Sequence, residues 1–367
     1  MAMLTPRTRW SALAAGAVAA VTAAGWFAGT HAMHIRAPKT GGPEVLPAAA
    51  ASPAPPAALQ SELVRLVQAY GEEVGVAVTD VPRGWTAQVN GDQPFPQQSV
   101  SKLWVALAVL KAADAGRLGL DSWVTLTSAD RSVFFQPVAY AIGPAGYTTQ
   151  VSSLLRRAIV DSDNAANDKL MRIVGGPDSV DFAVAAMGLR GVTVGAYEHD
   201  LQAMTAGLPW KAEYGVGWNF QAARERLPPA VRQAALDAYL RTPLDGAAPV
   251  AITRALARLQ RGELLSPAST GRLLSLMREV RTGPRRLKGG LQPGWTLAHK
   301  TGTGQDYRGA SVGINDVGLL TAPDGHVYAV AVMIRRTRQP VPARLALMQA
   351  VSRAVATEWS RERGEAL

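Results

Sequence analysis

The chain contains no cysteine. That excludes a disulfide framework and any thiolate-held metal or cluster, but it does not fix the compartment, because exported proteins also do without disulfides. Histidine is scarce, with five in 367 residues. The three beyond the N-terminal region, His199, His299 and His326, form no H-x-H or H-E-x-x-H pair, so no metal is expected. No glycine-rich phosphate loop and no dinucleotide fingerprint occur, so no cofactor is expected either. Aromatic residues make up only 6% of the chain, and no basic run is interleaved with them. The net charge of +10 therefore does not read as a nucleic-acid footprint. It fits a solvated basic surface, attraction to an anionic envelope, or carboxylate substrates.

With 48% apolar residues and 18% charged ones, the chain can bury a large core. An uncharged run rich in Ala, Val and Gly, Ser11 to Gly29, follows Arg7 and Arg9 and reads as an export signal. The run is also long enough for a single membrane anchor, and with only a loose cleavage pattern at Thr30-His31-Ala32 both readings stay open. A proline- and alanine-rich linker follows. The expected organisation is therefore a signal or anchor over residues 1–35, a linker over 36–56 and a catalytic domain over 57–367. The expected location is outside the inner membrane, in the periplasm, either soluble or tethered, and the domain is expected to be a monomer.

Leu59, Leu63, Leu66, Val67 and Tyr70 recur at helical spacing and open the folded part with an amphipathic helix. Strand patterns follow at Val74 to Asp80 and Trp85 to Val89, and then an apolar helix from Val100 to Leu110. The middle reads as helices and turns, and strands return only at Thr296 to Thr301, Ala310 to Leu320 and Val327 to Ile334. A final helix covers Ala343 to Trp359. This order predicts an α/β (α+β) fold, with a mostly antiparallel sheet built from N- and C-terminal strands and flanked by helices. An all-helical lobe, about residues 92–290, would be inserted into it.

Three short strings stand at the seams of this pattern: Ser99-Val100-Ser101-Lys102, Ser162-Asp163-Asn164 and Lys300-Thr301-Gly302. Ser99 opens the buried helix, where free N–H groups favour an anionic oxygen, and Lys102 lies one turn on, within reach of the serine proton. A serine hydroxyl needs such a base to act as a nucleophile at neutral pH, and Lys300 would supply a neighbouring positive charge. Ser162 is placed to relay a proton, and Asn164 offers an amide to pair with a substrate amide. After the lysine strand, Thr303 offers a backbone N–H that would join that of Ser99 in an oxyanion hole. Thr303 and Arg308 are candidates for binding a substrate carboxylate.

Together these strings resemble the active site of class A serine β-lactamases, over roughly Leu59 to Trp359. The resemblance implies a Ser99 acyl-enzyme, with Lys102 and Glu198 as bases and Glu198 activating the deacylating water. Glu198 lies about 36 residues after Ser162. It implies that Gln202, where the family usually has asparagine, helps hold that water, and that Thr301 and Lys300 position the substrate. Two departures stand out. Ala196 replaces the arginine that usually pairs with an aspartate, here Asp245, and an extra stretch at about 203–244 carries Trp210, Trp218 and Phe220. Two rivals share the strings: a D-alanyl-D-alanine peptidase or transpeptidase acting on peptidoglycan peptides, and a non-catalytic envelope binding protein. The expected partner is thus a small β-lactam or a peptidoglycan peptide.

Overall fold

A computed structural model of the chain describes residues 53–364. The expected export signal or anchor and most of the linker lie outside the described residues. Among the described residues no helix is long and apolar enough to cross a membrane.

Helix α1 (Ala57–Tyr70) buries Leu59, Leu63, Val67 and Tyr70, one face of a 3.6-residue repeat. It stops at Gly71, whose left-handed φ of 76° lets its N–H reach back to the Val67 carbonyl. Strands β1 (Val74–Asp80) and β2 (Thr86–Val89) form an antiparallel hairpin, and β3 (Phe95–Pro96) leads to α2 (Lys102–Asp114). Every residue of α2 from Lys102 to Leu110 is buried, so this helix is the axis of the inserted lobe rather than a surface helix.

The middle differs from the sequence reading in two respects. Strands β4 (Trp123–Leu126) and β5 (Tyr147–Gln150) pair as a ribbon where only helices and turns were expected. Each has four residues and a single fully buried position, so neither carries a readable alternation. Helices α3 (Val151–Arg156), α4 (Asn164–Ile173) and α5 (Pro177–Ala186) follow near their expected places. Two short helices were not foreseen, α6 (Glu198–Ala206) and α7 (Asn219–Arg226). They precede α8 (Pro229–Arg241), β6 (Gly246–Ala247), α9 (Pro249–Gln260) and α10 (Pro267–Arg278).

The chain then re-enters the sheet through β7 (Thr296–Gly302), β8 (Asp306–Tyr307), β9 (Ala310–Thr321) and β10 (Val327–Thr337), and closes with α11 (Val341–Glu362). The sheet runs β2-β1-β10-β9-β7, with β8 paired to β9, and all its pairings are antiparallel. First and last strands meet at its centre, Val76 opposite Val332. The two-residue period of β10 divides two cores. Tyr328, Val330, Val332 and Ile334 face α1 and α11, while Ala329, Ala331 and Met333 face the inserted lobe.

The extra stretch is not a loose surface excursion. Phe220 and Tyr214 pack with Ala203, Ala206 and Val133, and α8 sets Leu236 and Tyr239 against Leu201 and Val312 of β9. Trp218, by contrast, is 79% exposed.

Candidate active site

Ser99 sits in a 3₁₀ turn, Gln98–Ser101, that runs directly into α2. Gln98 holds a left-handed φ of 53°, a strained backbone for a residue with a side chain, and the surroundings pin it there. Its N–H donates to Asp245 Oδ2 at 2.6 Å, and its Nε2 donates to the Tyr239 hydroxyl oxygen at 2.5 Å. Lys102, fully buried, points its Nζ at Ser99 Oγ (2.6 Å), Asn164 Oδ1 (2.9 Å) and Glu198 Oε2 (3.1 Å).

The chain before Ser162 tightens into a π-helical turn, Arg157–Asp161, and Ser162 itself takes a left-handed conformation. Asp163 then caps α4 by accepting the Ala166 N–H, so Asn164 begins a helix aimed at the cleft. Lys300 comes from β7 and donates to Ser162 Oγ at 2.9 Å. Burial, reinforced by the Lys102 charge, pulls the Lys300 ammonium well below its usual range. That makes it able to exchange a proton with the serine.

Glu198 opens α6, and its carboxylate is 4% exposed. Its Oε1 accepts from Gln202 Nε2 at 2.9 Å, one turn along the same helix. The same nitrogen is 2.8 Å from Gln98 Oε1, while Gln202 Oε1 accepts from Gln305 at 2.9 Å. The longer amide is therefore clamped on both ends. Asp168 on α4 accepts the Glu198 N–H at 2.7 Å and faces His199 Nδ1 at 2.9 Å. The His199 ring stacks on Tyr197 and lies against Trp210 from the extra stretch.

The loop that carries Glu198 lacks its usual arginine, since Ala196 stands there. It is tied by hydrogen bonds instead. Asp181 accepts the Val194 N–H at 2.7 Å at the loop's start, Asp168 holds its middle, and Asp245 anchors its far side by accepting from Gln98 N–H and from Tyr239 Oη at 2.8 Å. A Cβ on Gly195 would come within 2.3 Å of the Leu244 carbonyl, so only glycine lets the two ends of the loop approach.

Asp245 is fully buried without a cation. Burial pushes its carboxyl up to about 7, against the opposing hydrogen bonds from Tyr239 and Gln98 and with help from the Glu198 charge. Folded Asp245 thus holds its proton more tightly than the unfolded chain does. Its stabilising contribution is complete below pH ~4 and is lost as pH rises toward about 7. Asp245→Asn, whose amide oxygen can still accept the Gln98 N–H while its nitrogen donates to the Tyr239 hydroxyl oxygen, is expected to lose less melting temperature than the parent between pH 4 and 8. Equal losses in the two proteins would show that Asp245 does not titrate in that range.

Ser99, Ser162, Asn164, Glu198, Gln202, Thr301 and Thr303 all line one cleft of about 480 Å³, with Lys102 and Lys300 directly behind them. Arg308 does not join them. It is exposed on the turn between β8 and β9, and its carbonyl accepts from Arg338. The arginine at the Thr301–Thr303 end is Arg286, which donates to Thr303 Oγ1 at 2.6 Å and to the Gly302 carbonyl at 2.8 Å. Sequence reasoning also missed Asp168, Gln98 and Gln305. Only Asp168 left a signal, its i,i+4 spacing from Asn164 on one helix face.

A family model described as the beta-lactamase enzyme family matches residues 58–359. The extended-spectrum beta-lactamase PER-1 of Pseudomonas aeruginosa is 30% identical over 78% of this chain and 85% of that protein. Beta-lactamase VEB-1 of the same organism is 28% identical over 77% of this chain and 83% of its own length. Among solved structures, an ancestral class A beta-lactamase superposes with a TM-score of 0.65 at 28% identity, covering 82% of this chain and 99% of that one.

Proposed function

The chain belongs to the beta-lactamase enzyme family, in its class A branch, and on that premise we propose that it opens the β-lactam amide through an acyl-enzyme on Ser99. In acylation Ser99 Oγ bonds to the lactam carbonyl carbon as its proton passes to the base formed by Lys102 and Glu198. The backbone N–H groups of Ser99 and Thr303 receive the developing oxyanion, for which one such donor is worth about 3 to 4 kcal/mol of barrier. The carbon–nitrogen bond then breaks, and the leaving nitrogen takes a proton from Ser162, which Lys102 and Lys300 replenish with the proton that Ser99 gave up. In deacylation water gives a proton to Glu198, its oxygen bonds to the acyl carbon, and the ester bond to Oγ breaks. Ser99 recovers its proton and the opened acid leaves.

Arg286 and Thr303 would take the substrate carboxylate at the end of β7, the role first assigned to Arg308. Asn164 and Gln202 would orient the acyl amide and the attacking water. The observation that carries the reading is the Glu198 carboxylate, buried within 3.1 Å of Lys102 Nζ and held by Gln202 Nε2, with the Glu198 backbone N–H fixed by Asp168. A D-alanyl peptidase needs no base there, and a binding module needs neither base nor nucleophile. Residues 57–367 would form the catalytic domain, with residues 1–35 exporting it and 36–56 as a tether.

The test is to incubate the protein with a chromogenic cephalosporin and follow absorbance. Sustained turnover of many equivalents is expected. A single stoichiometric burst with no further turnover would move the chain to the peptidase reading.

A further inference from the structure

Arg224, on α7 of the extra stretch, also lines the cleft, although nothing in the three strings calls for it. Its surroundings are unusual for a guanidinium. Nε is buried without a hydrogen-bond partner, and among the described residues no carboxylate or carbonyl accepts from the rest of the group. What it touches are two rings, Phe134 at 5.4 Å and Phe220 at 5.5 Å from the centroids. Glu225 and Asp306 are near enough to favour its charge, but neither forms an ion pair with it, and Arg232 opposes them. Burial, the larger effect, pulls it down to about 10. A desolvated cation that faces a cleft and lacks an anion is costly, and a ligand anion would remove that cost.

Its position says which part of a substrate it meets. Asn164 donates to the Val133 carbonyl at 2.8 Å, and the next residue, Phe134, is the ring under Arg224. Phe134 is itself held at a left-handed φ of 58°. Arg224 therefore belongs to the Asn164 side of the cleft, while Arg286 occupies the Thr301–Thr303 side. Two arginines on different elements of one cleft match a substrate with two anions.

We propose that Arg224 forms a second anion subsite, which selects β-lactams carrying a carboxylate on the acyl side chain in addition to the carboxylate of the fused ring. The inference rests on the β-lactamase reading of the same cleft. Phe134 supplies the apolar floor and Arg224 the charge, so the extra stretch acts in substrate choice rather than in the bond-breaking steps.

The test compares benzylpenicillin with its α-carboxy analogue, which differ by one acyl-side-chain carboxylate. The readout is the ratio of kcat/KM for the carboxylated over the plain substrate. Arg224→Gln is expected to lower that ratio about tenfold, chiefly through the KM of the dianion. Arg224→Lys keeps the charge and should stay within about threefold of the parent, and added salt should lower the parent's ratio. A ratio that moves less than twofold in Arg224→Gln overturns the subsite, as does an Arg224→Lys ratio that falls as far as that of Arg224→Gln. A parent inert on both penicillins overturns the β-lactamase reading itself and takes this inference with it.

Discussion

Ser99→Ala is expected to lose about 10⁴-fold or more in kcat/KM for any β-lactam that the parent hydrolyses. The alanine removes the only atom that can form the acyl bond and leaves the rest of the cleft assembled. Lys102 keeps Asn164 Oδ1 and Glu198 Oε2 as acceptors, so the buried ammonium is not stranded. The variant should therefore melt within a few degrees of the parent and still bind substrate. Steady-state hydrolysis together with a thermal melt checks both halves. Turnover above a hundredth of the parent rate in a folded variant would mean that another group attacks the lactam.

Glu198→Gln is expected to act on the second half of the cycle. Removing a general base commonly costs about 10²- to 10⁴-fold, and here the loss should fall on deacylation. The substituted amide can still accept from Gln202 through its oxygen, so the helix start is preserved. Its nitrogen, however, would face Lys102 Nζ as donor against donor, replacing the present 3.1 Å contact. Lys102 retains Ser99 and Asn164, which leaves acylation a route. Rapid mixing with a chromogenic cephalosporin should show a burst of about one equivalent followed by a slow phase. A proportional fall in both phases would make Glu198 as much the base of acylation as of deacylation.

Much of this was legible from the residues. The hairpin at Val74 to Asp80 and the final strand pair follow from short apolar runs bounded by turn residues, and the first helix from its 3.6-residue repeat. The three strings name residues that the fold brings to one cleft, Ser99 beside Lys102 and Ser162 beside Lys300. What the sequence concealed depends on tertiary pairing. Ala196 reads as the loss of an ion pair, yet Asp181, Asp168 and Asp245 together hold the loop through backbone N–H groups, and no local pattern announces such bonds.

The extra stretch hid its role in the same way. Tyr239, in a helix readable from its period, is the donor that holds Asp245, and Arg224 lies on an eight-residue helix with little periodicity. Arg308 attracted attention because it stands near the lysine strand in sequence. Arg286, further away along the chain, reaches the same strand end through its long side chain.

The most direct test of Glu198 as the base that frees the Ser99 ester is an intact-mass time course with one penicillin on the parent and on Glu198→Gln. The variant should gain and keep the mass of one opened penicillin, lost on substitution of Ser99, while the parent returns to its unmodified mass once substrate is spent. A parent that itself holds the adduct, or a variant that clears it at the parent's rate, would contradict that assignment.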